Sequence, residues 1–251
     1  MKSLTFTKQY CQNILKQRKL VLVCDMDETL LSRVYLKDPV IPQRLKNIHY
    51  NKINDSFLYD GYCAKFRPHL TNFLKKISEK FELHVMSTGT DLYIRSLIDI
   101  IDPEKKFFGN RITTKSGVVG GTYKLRTLEN QFNKLDNMVC VIDDRVDVWE
   151  NNGRVVQVEP YMALHKVTEI NANQSDEVNN SRKSMVQQTL ENIDDSDDYL
   201  KHLENTLELI HDNYFQSIDE ELLKNNYENL SCENIPKIED IISKMKIERN
   251  I

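Results

Sequence analysis

Glycine is scarce in this chain, at seven of 251 residues, and nothing reads as a GxxxxGK[ST] phosphate cradle, since "GVVGGTYK" has the wrong spacing. No apolar run approaches the ~20 residues that would cross a bilayer, so no membrane partner is expected. The opening stretch "MKSLTFTKQYCQNILKQRK" lacks the apolar centre of a secretory signal, and "LVLVC" is too short to supply one. The five cysteines, Cys11, Cys24, Cys63, Cys140 and Cys232, contain no CxxC pair. They read as reduced thiols rather than a disulfide or zinc framework. No cysteine is followed by an arginine six positions later, the nearest being Arg145 after Cys140, which argues against a cysteine phosphatase. A net charge of −4 is too small to suggest direct contact with nucleic acid. The six histidines show no metal spacing, and His84, inside an apolar run, reads as a buried or edge histidine.

Short apolar runs alternating with helical periods are what the chain does contain. "LVLVC" (20–24), "LHVMS" (83–87), "MVCVI" (138–142) and "VVQV" (155–158) read as buried strands. "RPHLTNFLKKISEKF" puts Leu70, Phe73, Leu74, Ile77 and Phe81 on one stripe, with Pro68 near the first turn, where its missing N–H is harmless. "TDLYIRSLIDIID" repeats the pattern with Tyr93, Leu97, Ile100 and Ile101, and Thr90 or Asp91 can cap it. This alternation predicts an α/β fold: an open, mostly parallel sheet with helices on both faces. The ligand crevice of such a sheet lies beyond the carboxyl ends of its strands, where Asp25, Ser87 and Asp143 fall. Residues 1–168 read as one catalytic domain and 169–196, rich in Asn, Ser and Asp, as a linker. In the helical segment expected over 197–251, Leu200, Leu203, Leu207, Ile210 and Tyr214 form one apolar face, and Ile238, Ile241, Ile242 and Met245 a last one. Lys75, Lys76 and Lys80 read as a solvated helix face, and Trp149 as packing.

"DMDETL" follows directly on "LVLVC". Taken alone, such a D-x-D is most simply a capping turn. A calcium loop starting at Asp25 fails, because Leu30 stands where glycine is needed and Leu36 where glutamate is needed. Taken with the other strand ends, the acids suggest phosphoryl transfer. A carboxylate such as Asp25 is a competent nucleophile toward phosphorus. Asp27 can protonate a departing oxygen and later deprotonate water. "CVIDDR" adds Asp143 and Asp144, and Mg2+ prefers such oxygen ligands. Ser87 and Lys124, with Thr29 and Arg67, are candidate donors to the transferred phosphate.

"DMDET" resembles D-x-D-x-T, the first motif of the haloacid-dehalogenase-superfamily phosphatases. Four further stretches resemble one branch, the transcription factor IIF-associated phosphatases of the RNA polymerase II carboxy-terminal domain (CTD): "KFRPHLTNFLKKISEKFELHVMSTGT" (65–90), "IIDPEKKFFGNRI" (100–112), "VIDDRVDVW" (141–149) and "YLKHLENTLELIHDNYF" (199–215). The resemblance implies a Rossmann-like sheet with a small insertion after motif one, and a Mg2+-dependent phosphoserine/phosphothreonine phosphatase working through an aspartyl-phosphate. It implies Asp25 as nucleophile and Asp27 as general acid/base, with Asp25, Asp27 and Asp144 on the metal and Asp143 supporting them. Thr29, Arg67, Ser87 and Lys124 would take the substrate phosphate. The implied partners are the phosphorylated CTD and transcription factor IIF, and the implied location is the nucleus.

Ser87 and Asp91 depart from the branch, where threonine and a basic residue are usual, and too few residues follow the last family helix for the branch's BRCT module. Two other classes share the fold: a catalytically silent peptide-binding scaffold and a small-molecule phosphatase. The intact acids argue against the first, and the modest insertion between Thr29 and Ser87 argues against a substrate-enclosing cap.

Overall fold

The computed structural model describes residues 8–35, 49–51, 56–59, 62–117, 124–132, 135–150, 152–164, 196–224 and 235–249. The stretch expected as a linker lies outside them except for Ser196. The chain forms two compact units interleaved along the sequence. The first comprises Met1–Asp25, Thr71–Val158 and Lys201–Ile251; the second comprises Met26–Leu70 and Glu159–Leu200.

The first unit is built on the expected parallel sheet. Its strands are β1 (Leu20–Cys24), β6 (Phe81–Met86), β7 (Ile112–Thr113), β8 (Val139–Asp143) and β9 (Val155–Gln157), in the order β7-β6-β1-β8-β9. Every neighbouring pair is parallel. A strand with parallel neighbours on both sides needs apolar residues on both faces, and each residue of β1 and β8 is buried. Helices α1 (Lys8–Lys16), α2 (Leu70–Lys80), α3 (Asp91–Ile101), α4 (Leu125–Phe132), α5 (Tyr199–Lys224) and α6 (Ile238–Arg249) accompany the strands. Thr90 caps α3 as expected, its Oγ1 accepting the Tyr93 N–H at 3.4 Å. None of the described helices is long and apolar enough to cross a membrane.

Most of the predicted stripes become core, but α3 buries Tyr93, Ile94, Leu97 and Ile98, leaving the expected Ile100 and Ile101 half-buried, as is Met245 of α6. Phe73, Leu74 and Ile77 of α2 are buried, and so are Leu203, Leu207, Ile210 and Tyr214 of α5. The lysine face of α2 does more than meet solvent: Lys76 pairs with Glu204 at 2.6 Å and Lys80 with Asp212 at 2.9 Å. Exposed pairs of this kind contribute at most about 1 kcal/mol each, so the apolar stripe, not the charge, fastens α5. After α3, the buried Asp102 carboxylate accepts the backbone N–H groups of Lys106, Phe107 and Phe108. That knot stands within the "IIDPEKKFFGNRI" stretch.

The second unit holds what the sequence showed only as an insertion. Strands β2 (Leu31–Tyr35), β3 (His49–Asn51), β4 (Ser56–Tyr59) and β5 (Tyr62–Phe66) form an antiparallel sheet in the order β2-β5-β4-β3. Cys24, Cys63 and Cys140 are buried free thiols, as expected. Cys11 departs from that expectation, being held in a disulfide.

Candidate active site

Strand register assembles the acids of the first unit. Cys24 of β1 pairs with Val85 of β6 on one side and with Ile142 of β8 on the other. The Asp25 N–H then donates to the Ile142 carbonyl at 3.0 Å, so the chain leaves the sheet with Asp25 beside the end of β8. Asp25, Asp143 and Asp144 each offer a carboxylate oxygen, and these lie within 4.8 Å of one another. Three such acids packed together repel strongly unless something compensates.

Lys124, immediately before α4, provides one compensation. Its Nζ donates to Asp25 Oδ1 at 2.5 Å and to Asp143 Oδ2 at 2.7 Å. Burial alone would push the ammonium pKa down, but the Asp25 and Asp143 charges outweigh it and the net shift is upward. Lys124 is therefore a fixed cation at neutral pH. Its backbone is set by an N–H bond to the Val148 carbonyl at 2.8 Å, and the Leu128 N–H in turn donates to the Lys124 carbonyl.

Asp143 is held from three directions. Besides Lys124, Oδ2 accepts the Trp149 indole N–H at 2.8 Å, while Oδ1 accepts the Arg145 backbone N–H at 2.9 Å. Trp149 is fully buried, as a packing residue should be, and also faces the Lys124 ammonium with its ring at 5.6 Å. Its role as a donor went unforeseen; the available signal was its fixed place, six residues after Asp143, in the "VIDDRVDVW" stretch. Arg145 itself forks onto Asp147 at the surface.

Ser87 follows the end of β6. Its N–H donates to the Thr113 carbonyl and its Oγ accepts the Gly89 N–H, both at 3.0 Å. A hydroxyl that accepts one bond still has a proton to donate, which suits a phosphate-facing position.

The second unit places Asp27, Thr29 and Arg67. The Asp27 carboxylate is 3.5 Å from Arg33 Nε. Thr29 is buried. Arg67, also buried, does not end in a bare guanidinium: Nε and Nη2 take the two Asp197 oxygens at 3.0 Å each, and Nη1 reaches the Thr29 and Glu159 carbonyls at 3.2 and 2.9 Å.

The cluster in the first unit suits a divalent cation. Its donors are all carboxylate oxygens, which hard cations such as Mg2+ prefer. Lys124 neutralises one of the three acids and leaves two formal negative charges in a largely buried place.

A parallel α/β sheet with carboxylates gathered at the ends of β1 and β8 defines a haloacid-dehalogenase-like domain. The sequence model of the NLI interacting factor-like phosphatases matches residues 20–182, and the chain belongs to that family. It is 32% identical over 208 residues to an RNA polymerase II C-terminal domain phosphatase of Caenorhabditis elegans, covering 82% of this chain and 30% of that protein. The corresponding phosphatase from Schizosaccharomyces pombe is 34% identical over 171 residues (63% and 23%), and the one from Homo sapiens 32% over 176 (69% and 18%). The chain thus spans less than a third of the length of these relatives. Among solved structures it resembles that of Fcp1, an essential RNA polymerase II CTD phosphatase, with a TM-score of 0.70 and 26% identity, covering 96% of this chain and 74% of the other.

Proposed function

We propose that this chain is a Mg2+-dependent phosphoserine/phosphothreonine protein phosphatase whose substrate is the heptad-repeat CTD of RNA polymerase II. The observation that carries the reading is the buried cluster of Asp25, Asp143 and Asp144 bridged by Lys124. The names of the relatives supply the substrate.

In this reading an Asp25 oxygen attacks the phosphorus of the substrate ester. The P–O bond to the serine breaks in line, and Asp27 gives its proton to the departing serine oxygen. The product is a free hydroxyl and a phosphoryl group on Asp25. Asp27, now ionised, takes a proton from water, which attacks the same phosphorus and returns Asp25 as a carboxylate. Lys124 keeps Asp25 ionised for the attack. With the Ser87 hydroxyl and Thr29, it also faces the charge that develops on the phosphoryl oxygens, while Arg67, expected among these donors, is engaged by Asp197 and by the Thr29 and Glu159 carbonyls. Mg2+, when held by Asp25, Asp27 and Asp144 with Asp143 in support, lowers the repulsion between the anionic nucleophile and its anionic substrate. A nuclear location and recruitment by transcription factor IIF belong to the same reading.

Phosphate release from synthetic CTD peptides, phosphorylated at the second or fifth heptad residue, tests it. Release is expected with Mg2+, not with EDTA, to prefer peptide over free phosphoserine, and to vanish in Asp25→Asn. Full activity in that variant sinks the nucleophile assignment. Silence of the wild type under every condition favours the scaffold.

A further inference from the structure

The loop carrying Asp27 is held through its main chain. Glu28 adopts a left-handed backbone conformation, φ 63°, which for a residue other than glycine costs about 1–2 kcal/mol and persists only where its surroundings determine it. Three consecutive carbonyls are engaged. The Glu28 carbonyl accepts the Tyr161 N–H at 2.7 Å, the Thr29 carbonyl accepts Arg67 Nη1 at 3.2 Å, and the Leu30 carbonyl accepts the Arg67 backbone N–H at 2.9 Å. Arg67 thus grips the loop twice, by side chain and by main chain.

Asp197 in turn holds Arg67. Its two oxygens meet Nε and Nη2 in a forked pair, and Oδ1 also accepts the Tyr199 N–H at 3.2 Å, where α5 begins. The guanidinium is flanked by Tyr199 at 4.4 Å and Tyr161 at 5.3 Å from the ring centroids. Its side chain is 1% exposed, so its charge has little access to water. A buried guanidinium without its carboxylate is strongly unfavourable, and a forked pair fixes orientation as well as charge. Asp197 stands beyond residues 20–182, the span matched by the family.

We propose that Asp197 is a positioning residue for phosphoryl transfer: through Arg67 it fixes the carbonyls of Thr29 and Leu30 and thereby the Asp27 loop. The start of α5, outside the family-matched span, completes the catalytic apparatus. The effect on turnover rests on the proposed phosphatase reading, in which Asp27 protonates the leaving group. The effect on the loop does not.

The test uses the full chain with Asp197→Asn, Asp197→Ala and Asp197→Glu. With Mg2+, Asp197→Asn is expected to lower kcat on a phosphoserine peptide about tenfold or more while KM stays within about twofold. On p-nitrophenyl phosphate, whose leaving group needs little protonation, kcat/KM, which reports transfer to Asp25 and not the later attack by water, is expected to fall by no more than about threefold. Asp197→Glu recovers part of the peptide rate. Equal losses of kcat/KM on both substrates, or no loss on either, overturn the positioning role.

Amide hydrogen exchange supplies a readout without turnover. The Leu30, Leu31, Arg67 and Tyr161 amides should exchange about tenfold faster in Asp197→Asn, with those of β1 and β8 unchanged. Uniform acceleration, or none, overturns the proposal. If Asp197→Ala fails to fold, the isosteric Asn variant decides. If the wild type releases no phosphate from any substrate, the phosphatase reading and the catalytic role fall together, and exchange still decides whether Asp197 holds the loop.

Discussion

In the first unit the acids are gathered by the register of parallel strands and partly neutralised by one side chain, Lys124, whereas in the second the Asp27 loop is shaped by bonds to its own carbonyls. The first arrangement depends on charge: remove one cation and the carboxylates repel. The second depends on shape: its carbonyls carry no formal charge, and what they need is a donor at a fixed place. Two assemblies held in such different ways should fail differently when each is disturbed.

Lys124→Met is the most damaging change expected in the first unit. It leaves Asp25 and Asp143 buried without their cation, and breaking a buried pair from one side costs about 3–5 kcal/mol. Urea unfolding in EDTA should show that loss, and turnover should disappear. A loss under about 1 kcal/mol would mean that the lysine does not carry the charge balance.

Trp149→Phe is gentler. It keeps an aromatic ring in the core but removes the N–H that donates to Asp143, and a hydrogen bond to a charged group contributes about 1.5–3 kcal/mol. Because Trp149 and Lys124 share Asp143 Oδ2, the two substitutions should be non-additive in a double-mutant cycle. Strict additivity would separate the two contacts that the geometry joins.

The difference between the units also explains what could be read from the sequence. β1 and β8 were visible because strands buried on both faces read as unbroken apolar runs, and Asp25 and Asp143 were visible as the abrupt end of those runs. Their proximity followed from topology alone. The insertion sheet was not visible. Its strands are short, and Lys65 and Arg33 interrupt the apolar alternation that would mark them. Arg67 stands out in the sequence as a candidate phosphate donor, but its partner Asp197 is 130 positions away, and no local pattern announces so distant a pair. α4, only eight residues long, is too short for its apolar period of Leu125, Leu128 and Phe132 to stand out in the sequence.

Acid should weaken the first unit in a specific order. His84 lies buried in β6 against Phe132, with Nε2 at 2.8 Å from Glu82. Burial lowers its pKa, against the opposing pull of Glu82. A group with a lowered folded pKa gives stability that is present above its unfolded value, about 6.5 for histidine, and lost as the pH falls through the folded one. Glu82 is also lowered: burial pushes its pKa up, but the bonds from His84 and Tyr10 prevail. Its contribution is therefore lost at more acid pH. From about pH 6.5 downward the wild type should lose up to about 1.4 kcal/mol per pH unit through His84. His84→Gln should flatten that limb in urea midpoints taken from pH 7.5 to 5. Parallel profiles would exclude His84 as its source.

The smallest effect sharpens the comparison most, because it sets two glutamates in left-handed backbone against each other. Glu150 (φ 53°) ends the short helical turn after Trp149 in the first unit and is exposed; Glu28 (φ 63°) lies in the Asp27 loop. Glycine relieves about 1–2 kcal/mol of left-handed strain but loses about 0.4–1 kcal/mol to the greater freedom of the unfolded chain. Glu150→Gly should therefore raise stability by roughly 0.5–1 kcal/mol with turnover unchanged. Glu28→Gly removes the same strain from the loop that carries Asp27, so under the proposed mechanism kcat on a phosphoserine peptide should fall even where the fold tolerates the change. If both variants kept full turnover, left-handed Glu28 would be an ordinary turn residue. If kcat fell only in Glu28→Gly, the bonds from Tyr161 and Arg67 would be holding a strained loop in the form that catalysis uses.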